Sequence, residues 1–240
     1  MDERPIEHRV RFWHGGVGSG CQLCDIAIMI RPCPHIIIAG ASGLIGGLLA
    51  ARLKGQPLTA IGRHAVEGIA DQRIAPIVEW PALVATLKPD VAISTLGTTI
   101  RAAGSEEAFA AIDHDVVVAF ARAARDAGAR QFLMVSSVGA GGASVYLRTK
   151  GRAEASVRAM GFARVDIFRP GLLIGERAGH MRPVERFFAA LSPLTNALTP
   201  RAFDQYRAIA ADEVAAAMAR VIGAAEDGVF VHHNRDMLAG

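Results

Sequence analysis

Cysteine, aromatic residues and long apolar runs are all scarce in this sequence. Aromatic residues make up 6% of it, and its cysteines are Cys21, Cys24 and Cys33. The rest of the chain therefore cannot hold the disulfide framework of a small secreted protein, which favours a reducing, cytoplasmic location. Apolar stretches such as Ile26–Ile30 and Val116–Ala121 are far shorter than the roughly 18 residues of a membrane-spanning helix, so no membrane partner is expected.

Basic and acidic residues are nearly balanced. The chain carries 26 Lys and Arg against 23 Asp and Glu, a formal net charge of +3, and its basic residues are scattered along the sequence. Nucleic-acid binding normally requires a basic run or patch, so no nucleic-acid partner is expected. With 240 residues, of which 51% are hydrophobic, the chain is long enough to bury the core of one α/β domain.

Residues 1–34 differ from the rest of the chain, because they contain the glycine-rich GGVGSG and the RPCP that precedes the first predicted strand. One hypothesis is a zinc site built from Cys21, Cys24, Cys33 and His14 or His35. Thiolates and imidazole suit zinc, but a single Cys-x-x-Cys pair is a weak pattern. We predict an appended, flexible segment, or upstream sequence before a start at Met29, and no metal site.

From His35 onward, short apolar runs alternate with longer alanine-rich segments of helical period. This alternation predicts βαβ units and a parallel sheet with helices on both faces, a doubly wound α/β fold. The predicted strands are His35–Ala39, Leu58–Ile61, Ala75–Val78, Val91–Thr95, Gln131–Ser136, Val165–Arg169 and Val229–His232. The predicted helices are Leu44–Lys54, Pro81–Leu87, Ser105–Ala127, Val145–Met160, Arg182–Leu191 and Asp212–Gly223. We assign residues 35–240 to this domain, with a substrate-side region at about 175–210.

The sequence IIIAGASGLIG at residues 36–46 places three glycines between an apolar strand and a helix. A dinucleotide-binding turn needs glycine for a tight bend, for close approach of the backbone to pyrophosphate, and for helix-to-strand packing. The helix N-terminus attracts the phosphate charge. This motif predicts an NAD(P)-binding Rossmann fold, whose turn contacts the cofactor through Gly40, Ser42, Gly43, Leu44, Ile45 and Gly46.

The end of the second predicted strand reads AIGRH, with Arg63 where NAD-binding proteins carry an acidic residue. A guanidinium can form a bidentate contact with the 2′-phosphate of NADP, and no Asp or Glu precedes Glu67 in this loop. Arg63 therefore favours NADP(H) over NAD(H). The alternative is a solvated loop arginine with no ligand.

Tyr146 and Lys150 are four residues apart on a predicted helix, so their side chains share one face. A nearby cation favours the phenolate form of a tyrosine, which makes such a pair suitable for proton transfer. The preceding strand ends in VSSVGAGG, where a serine hydroxyl can hydrogen-bond a substrate carbonyl. We therefore predict a catalytic set of Ser137, Tyr146 and Lys150.

Together, GASGLIG, SSVG and Tyr-x-x-x-Lys resemble the short-chain dehydrogenase/reductase superfamily over residues 35–240. The GxxGxxG spacing, IGR, STLGTT at 94–99 and FRPGLLIGER at 168–177 resemble its atypical, Tat-interacting-protein-like branch. The resemblance implies that Leu96, Gly97 and Thr98 line the cofactor, that Lys150 also binds the nicotinamide ribose, and that Pro170 begins the stretch near the nicotinamide. STLGTT replaces the superfamily's Asn-Ala-Gly motif, and the Ser137-to-Tyr146 spacing is shorter than in commoner members.

The resemblance implies an NADP-dependent oxidoreductase that transfers hydride to or from a small carbonyl or alcohol substrate. Tyr146 would donate or remove the proton on oxygen, and Ser137 would orient that oxygen. One alternative is an NADP-binding regulatory or scaffold protein without turnover, which presents its surface to a protein partner. A second is a sugar-nucleotide epimerase or dehydratase, which uses the same tyrosine without net redox change. A homodimer is expected only from the frequency of twofold assemblies.

Overall fold

The computed structural model describes residues 33–175 and 206–239. Most of the predicted N-terminal segment, including Cys21 and Cys24, lies outside these residues. So do the predicted helix Arg182–Leu191 and most of the predicted substrate-side region.

Seven parallel strands form the main sheet in the order β3-β2-β1-β4-β5-β6-β9. They are β1 (Ile36–Ala39), β2 (Leu58–Gly62), β3 (Asp71–Ile74), β4 (Val91–Ser94), β5 (Gln131–Val135), β6 (Arg164–Arg169) and β9 (Gly228–His233). A second, two-stranded sheet pairs β7 (Leu173–Ile174) with β8 (Ile209–Ala210). The strand order changes direction between β1 and β4, and a crevice for ligands is expected there, beyond the carboxyl ends of the strands. The predicted doubly wound fold is confirmed.

Helices cover both faces of the main sheet. They are α1 (Leu44–Arg52), α2 (Trp80–Leu87), α3 (Ile100–Ala103), α4 (Glu106–Ala110), α5 (Val117–Asp126), α6 (Val145–Arg158), α7 (Ala211–Val221) and α8 (Asn234–Leu238). A 3₁₀ turn at Ile77–Glu79 precedes α2, and a π-helical segment at Ala111–Val116 joins α4 to α5. No helix in the described ranges has the length and apolar character needed to cross a bilayer.

Strand β1 shows why the central strands are continuous apolar runs. Ile36 and Ile38 pack into a core shared with α1 and α7, whereas Ile37 and Ala39 pack into a second core shared with α2, α5 and α6. All four side chains are fully buried. A parallel sheet covered on both faces needs apolar residues at successive positions. This requirement accounts for the continuous apolar sequence of β1.

The predicted third strand, Ala75–Val78, is wrong. The strand is Asp71–Ile74, and residues 77–79 form the 3₁₀ turn instead. Because β3 is an edge strand paired with β2 alone, its side chains stay partly exposed, and the polar sequence DQRI carries no apolar run.

The single helix predicted over Ser105–Ala127 is a continuous helical stretch of three parts: α4, the π segment and α5. Ser105 caps α4 by accepting a hydrogen bond from the Ala108 backbone, as predicted. The short elements α3, β7, β8 and α8 were not predicted, because each has too few residues to show a period.

Candidate functional site

The turn after β1 has no room for a side chain at two of its glycines, Gly40 and Gly46. Gly40 has a φ of +95°, and a Cβ added there would lie 2.7 Å from Thr95 Oγ1 at the end of β4. A Cβ on Gly46 would collide with the Gly40 carbonyl oxygen. Gly43, the N-cap of α1, provides no side-chain hydrogen bond to the first turn, and that turn contains no acidic residue. Its backbone N–H groups are therefore available to an anion.

A small cleft, with a cavity volume of about 90 Å³, opens beside this turn and reaches the end of β2. Its lining includes Gly40, Ser42, Arg63, His64, Trp80 and Leu96. Arg63 is exposed at the cleft and forms no ion pair within the described part of the chain. The fold thus brings the glycine turn, the β2 arginine and the loop after β4 around one space, as the motifs predict.

Lys150 lies on α6, and its ammonium forms a buried ion pair beside the loop after β4. Lys150 Nζ is 2.6 Å from Asp113 Oδ1, and the two side chains are 5% and 0% exposed. The Thr98 backbone N–H donates to Asp113 Oδ2 at 2.8 Å. A Cβ on Gly97 would lie 3.5 Å from Lys150 Nζ and 3.6 Å from Asp113 Oδ1. The predicted cofactor loop, residues 96–98, therefore lies directly against the predicted catalytic lysine.

Tyr146 lies one turn before Lys150 on α6, and its half-buried ring stacks on Phe109 with ring centroids 5.3 Å apart. Phe109 and Asp113 are also four residues apart, on the stretch that packs against α6. Phe109 contacts Tyr146 and Asp113 contacts Lys150, so the contacts are four residues apart on both helical stretches. Tyr146 and Lys150 therefore share one face of α6, as their spacing predicts. No hydrogen bond joins the Tyr146 hydroxyl to Ser137 or Lys150 among the described residues.

The two serines after β5 have different environments. Ser136 is buried, and its hydroxyl donates to Glu154 Oε1 at 2.6 Å. Ser137 is half-buried and has only a 3.3 Å contact with the Val138 carbonyl oxygen. Ser136 is thus engaged in the core while Ser137 keeps a hydroxyl for a ligand, which supports the choice of Ser137.

The loop between Ser137 and Tyr146 packs closely on α6. Gly151 lies on α6, and a Cβ there would be 2.6 Å from the Gly141 backbone. Gly141 also donates its N–H to the Leu147 carbonyl at 2.8 Å, and Ser144 caps the helix by accepting from the Leu147 N–H. These contacts explain how the short serine-to-tyrosine connection is accommodated.

Three other predicted contact residues occupy distinct places. The Pro170 carbonyl accepts from the Val138 N–H at 3.0 Å, which puts Pro170 beside the Ser137 loop. Ile45 is 6% exposed and packs in the core, whereas Leu44 is only partly buried. The cofactor-binding and catalytic roles assigned from the sequence to these and the other site residues stay predictions.

Asp113 is the site residue that sequence reasoning missed. Its signal is a charged residue on the apolar stripe formed by Phe109, Val117 and Phe120, all of which are at most 2% exposed. A carboxylate at such a position of a helical stripe must find a buried partner.

A model of the NAD-dependent epimerase/dehydratase family matches residues 36–230. The chain belongs to this family. The protein fmp52 of Emericella nidulans is 36% identical over 174 residues, covering 65% of this chain and 74% of its own. The FMP52 protein of Meyerozyma guilliermondii is 37% identical over 155 residues, or 59% and 66% of the two chains.

Two solved structures illustrate the shared fold. The Bordetella bronchiseptica enzyme WbmH, in complex with NAD+, superposes with a TM-score of 0.65 at 15% identity, covering 84% of this chain and 75% of WbmH. The Helicobacter pylori ADP-L-glycero-D-manno-heptose-6-epimerase gives a TM-score of 0.64 at 14% identity, covering 82% and 76%. At these identities the likeness shows the fold alone.

The expected cytoplasmic location is wrong. The names of the fmp52 relatives from several fungi place those proteins in mitochondria. The expectation failed because scarce cysteine argues only against a disulfide framework and does not indicate the cell compartment. Cell location is encoded by targeting segments, which are independent of the catalytic fold.

Proposed function

We propose that this protein is an NADP-dependent oxidoreductase of the short-chain dehydrogenase/reductase type, acting on a small carbonyl or alcohol. One observation carries the proposal. The cleft lined by the glycine turn and Arg63 reaches Leu96, and the next residue, Gly97, lies against the buried ammonium of Lys150, which shares a helix face with Tyr146. The predicted nucleotide contacts thus lie next to the predicted proton-transfer pair.

The residues present fit a dinucleotide. The turn between Gly40 and Gly46 has no space for a Cβ at either of these glycines, which suits close approach of pyrophosphate to the start of α1. The guanidinium of Arg63, which has no ion pair among the described residues, suits a 2′-phosphate. When bound, the nicotinamide supplies hydride transfer, and Lys150 and the loop 96–98 would lie beside its ribose.

Three side chains would handle the proton and the reacting oxygen. Tyr146 would exchange a proton with the substrate oxygen, and the Lys150 ammonium would favour the phenolate form of Tyr146. Ser137, whose hydroxyl has only a weak contact with the Val138 carbonyl, would donate a hydrogen bond to the same oxygen. Substrate contacts from residues 175–210 stay a prediction.

Fluorescence titration tests the cofactor. Trp13 and Trp80 are the tryptophans of the chain, and Trp80 lines the cleft, so a Trp13→Phe background reports on the cleft alone. We expect Arg63→Ala to weaken NADPH binding by about 10- to 100-fold, the value of a charge-assisted hydrogen bond, while NADH binding stays unchanged. Arg122→Ala, an exposed change on α5, is the matched control. Equal affinity for both nucleotides in wild type and Arg63→Ala would overturn the NADP preference.

The second candidate is an epimerase or dehydratase of nucleotide sugars. The family model favours it. Substrate screens followed at 340 nm separate the two: an oxidoreductase changes the absorbance in proportion to product, whereas an epimerase or dehydratase forms product without net change.

The narrower assignment to the Tat-interacting-protein-like branch also stays a proposal, supported by the motifs quoted above. That branch keeps a regulatory or scaffold role with a protein partner, or a homodimer, among the candidates. Tight NADPH binding without turnover in a broad carbonyl screen would favour the regulatory role.

A further inference from the structure

We propose that Asp113 is a positioning residue: it holds the Lys150 ammonium and the Thr98 backbone in one arrangement before any nucleotide binds. The inference rests on the proposed function, because it gives Asp113 a task in the Tyr146 and Lys150 site. Asp113 acts through Lys150 and the loop 96–98 and does not touch the reacting atoms.

The first argument is how Asp113 uses its two oxygens. Oδ1 pairs with Lys150 Nζ at 2.6 Å, and Oδ2 accepts the Thr98 N–H at 2.8 Å. Each oxygen thus contacts a different element, one on α6 and one in the loop after β4. Because Asp113 is 1% exposed, bulk water does not compete for either contact. The carboxylate fixes the distance between the lysine and the cofactor-side loop.

The second argument is that a lysine is specified at position 150. The chain has 26 basic residues, and its lysines are Lys54, Lys88 and Lys150, so arginine is the usual basic residue here. Lys150 Nζ lies beside Gly97, where an added Cβ would be only 3.5 Å away. A compact ammonium fits this space better than a planar guanidinium, which spreads its charge over a wide fork.

The third argument is the local backbone. Asp113 lies in the π-helical segment Ala111–Val116, and π segments within α-helices often occur at functional sites. The segment sits between two α-helical parts that pack against α6 through Phe109 on Tyr146 and through Val117 in the core that contains Ala153. Asp113 is the charged contact in the middle of this interface, so it sets the place of Lys150 relative to Tyr146.

Replacing Asp113 with Asn keeps the shape and removes the charge. An amide has one acceptor oxygen and one donor nitrogen, so it cannot accept from both Thr98 and Lys150 in this geometry. One contact must break, and the amide nitrogen then faces either the ammonium or the N–H. We expect the Lys150 ammonium to lose its fixed position.

The test is an NMR spectrum of the lysine ammonium groups in 15N-lysine-labelled free protein. Lys54 and Lys88 are exposed, so their ammonium protons exchange rapidly with water, whereas a buried and paired ammonium exchanges slowly. We expect a persistent signal in wild type that is absent in Lys150→Met. Asp113→Asn should lose or shift it. Asp115→Asn, an exposed change on the same π segment, should leave it unchanged.

A nucleotide titration by Trp80 fluorescence gives the second readout. Asp113→Asn should weaken NADPH binding by about tenfold, the value of one hydrogen bond from a charged group, while Asp115→Asn keeps wild-type affinity. An unchanged ammonium signal and affinity in Asp113→Asn would overturn the inference. If wild type binds no nucleotide, the proposed function fails, and the ammonium signal of the free protein still decides whether Asp113 holds Lys150.

If Asp113→Asn does not fold, Lys150→Met provides the test. Removing the cation changes the charge balance at Asp113, so the amide proton of Thr98, bonded to the same carboxylate, should shift. An unmoved Thr98 amide signal would show that Asp113 does not connect the two and would overturn the inference.

Discussion

Three carboxylates are buried beside a cation in the described part of this protein, Asp113, Glu154 and Asp166, and the surroundings of the two aspartates differ. Asp166 on β6 accepts from Arg164 at 2.7 and 2.8 Å, from Gln131 at 2.8 Å and from His232 at 2.9 Å. Asp113 has one cation, Lys150, and one backbone donor. Asp166 uses most of its acceptor capacity, while Asp113 leaves part of its own unused.

The two aspartates also lie in different parts of the fold. Two partners of Asp166, Gln131 and Arg164, are the first residues of β5 and β6. Gln131 also bonds to the Val221 carbonyl at the end of α7 and to the Gly223 N–H just beyond that helix. Asp113 lies at the carboxyl ends of the strands, where ligands bind in such sheets. The Asp166 network connects the beginnings of two strands to α7, whereas Asp113 connects α6 to the loop after β4, on the side of the sheet where ligands bind.

The largest effect should follow from Asp166→Asn. It leaves Arg164 buried without its counter-charge, so we expect a loss of about 3–5 kcal/mol in the free energy of unfolding, measured by urea titration. Nucleotide affinity of the folded fraction should not change.

Asp212→Asn is the control, because its ion pair with Arg52 is half-exposed and such pairs are worth about 0–1 kcal/mol. Equal destabilisation by the two variants would mean that the Asp166 network does not stabilise the fold.

A smaller, paired effect separates the two serines. Ser136→Ala removes the hydroxyl bonded to the buried Glu154 carboxylate and should cost about 1–3 kcal/mol of stability. Ser137→Ala should leave stability unchanged and lower turnover by about 100-fold, as expected when one donor to a reacting oxygen is removed. If Ser136→Ala instead lowered turnover and Ser137→Ala lowered stability, the roles assigned to the two serines would be exchanged.

The smallest effect is the expected loss of stability at acidic pH. Burial by itself raises the pKa of Asp166, but hydrogen bonds from His232, Arg164 and Gln131 outweigh it and lower the pKa below its usual value. A lowered pKa in the folded state means that ionised Asp166 contributes stability above the unfolded-state pKa of about 3.9, and that this contribution is lost as pH falls through the folded-state value.

Unfolding free energies measured between pH 6 and pH 3 should therefore fall more steeply in wild type than in Asp166→Asn. Parallel pH profiles for the two proteins would contradict this account of Asp166.

The central strands could be predicted from sequence because each is a short apolar run buried on both faces, as β1 and β4 are. The edge strand Asp71–Ile74 could not be predicted in this way, because its partly exposed side chains do not need to be apolar. The glycine turn was predictable because its spacing is dictated by backbone conformation and close packing at Gly40 and Gly46.

The site was predictable only in part. Tyr146 and Lys150 share a helix, so their spacing alone places them on one face. Asp113 reaches Lys150 from a different helix, and its contact with Thr98 depends on the register of two further elements. Such contacts arise from tertiary packing, which no local period of the sequence encodes.

Hydrogen–deuterium exchange with and without NADPH shows whether the nucleotide binds between the glycine turn, Arg63 and the loop 96–98. We expect slower exchange in peptides covering residues 36–46 and 94–99, and unchanged exchange in residues 228–233 beside Asp166. No protection in either cleft segment at saturating NADPH, or protection confined to residues 228–233, would contradict binding at this cleft.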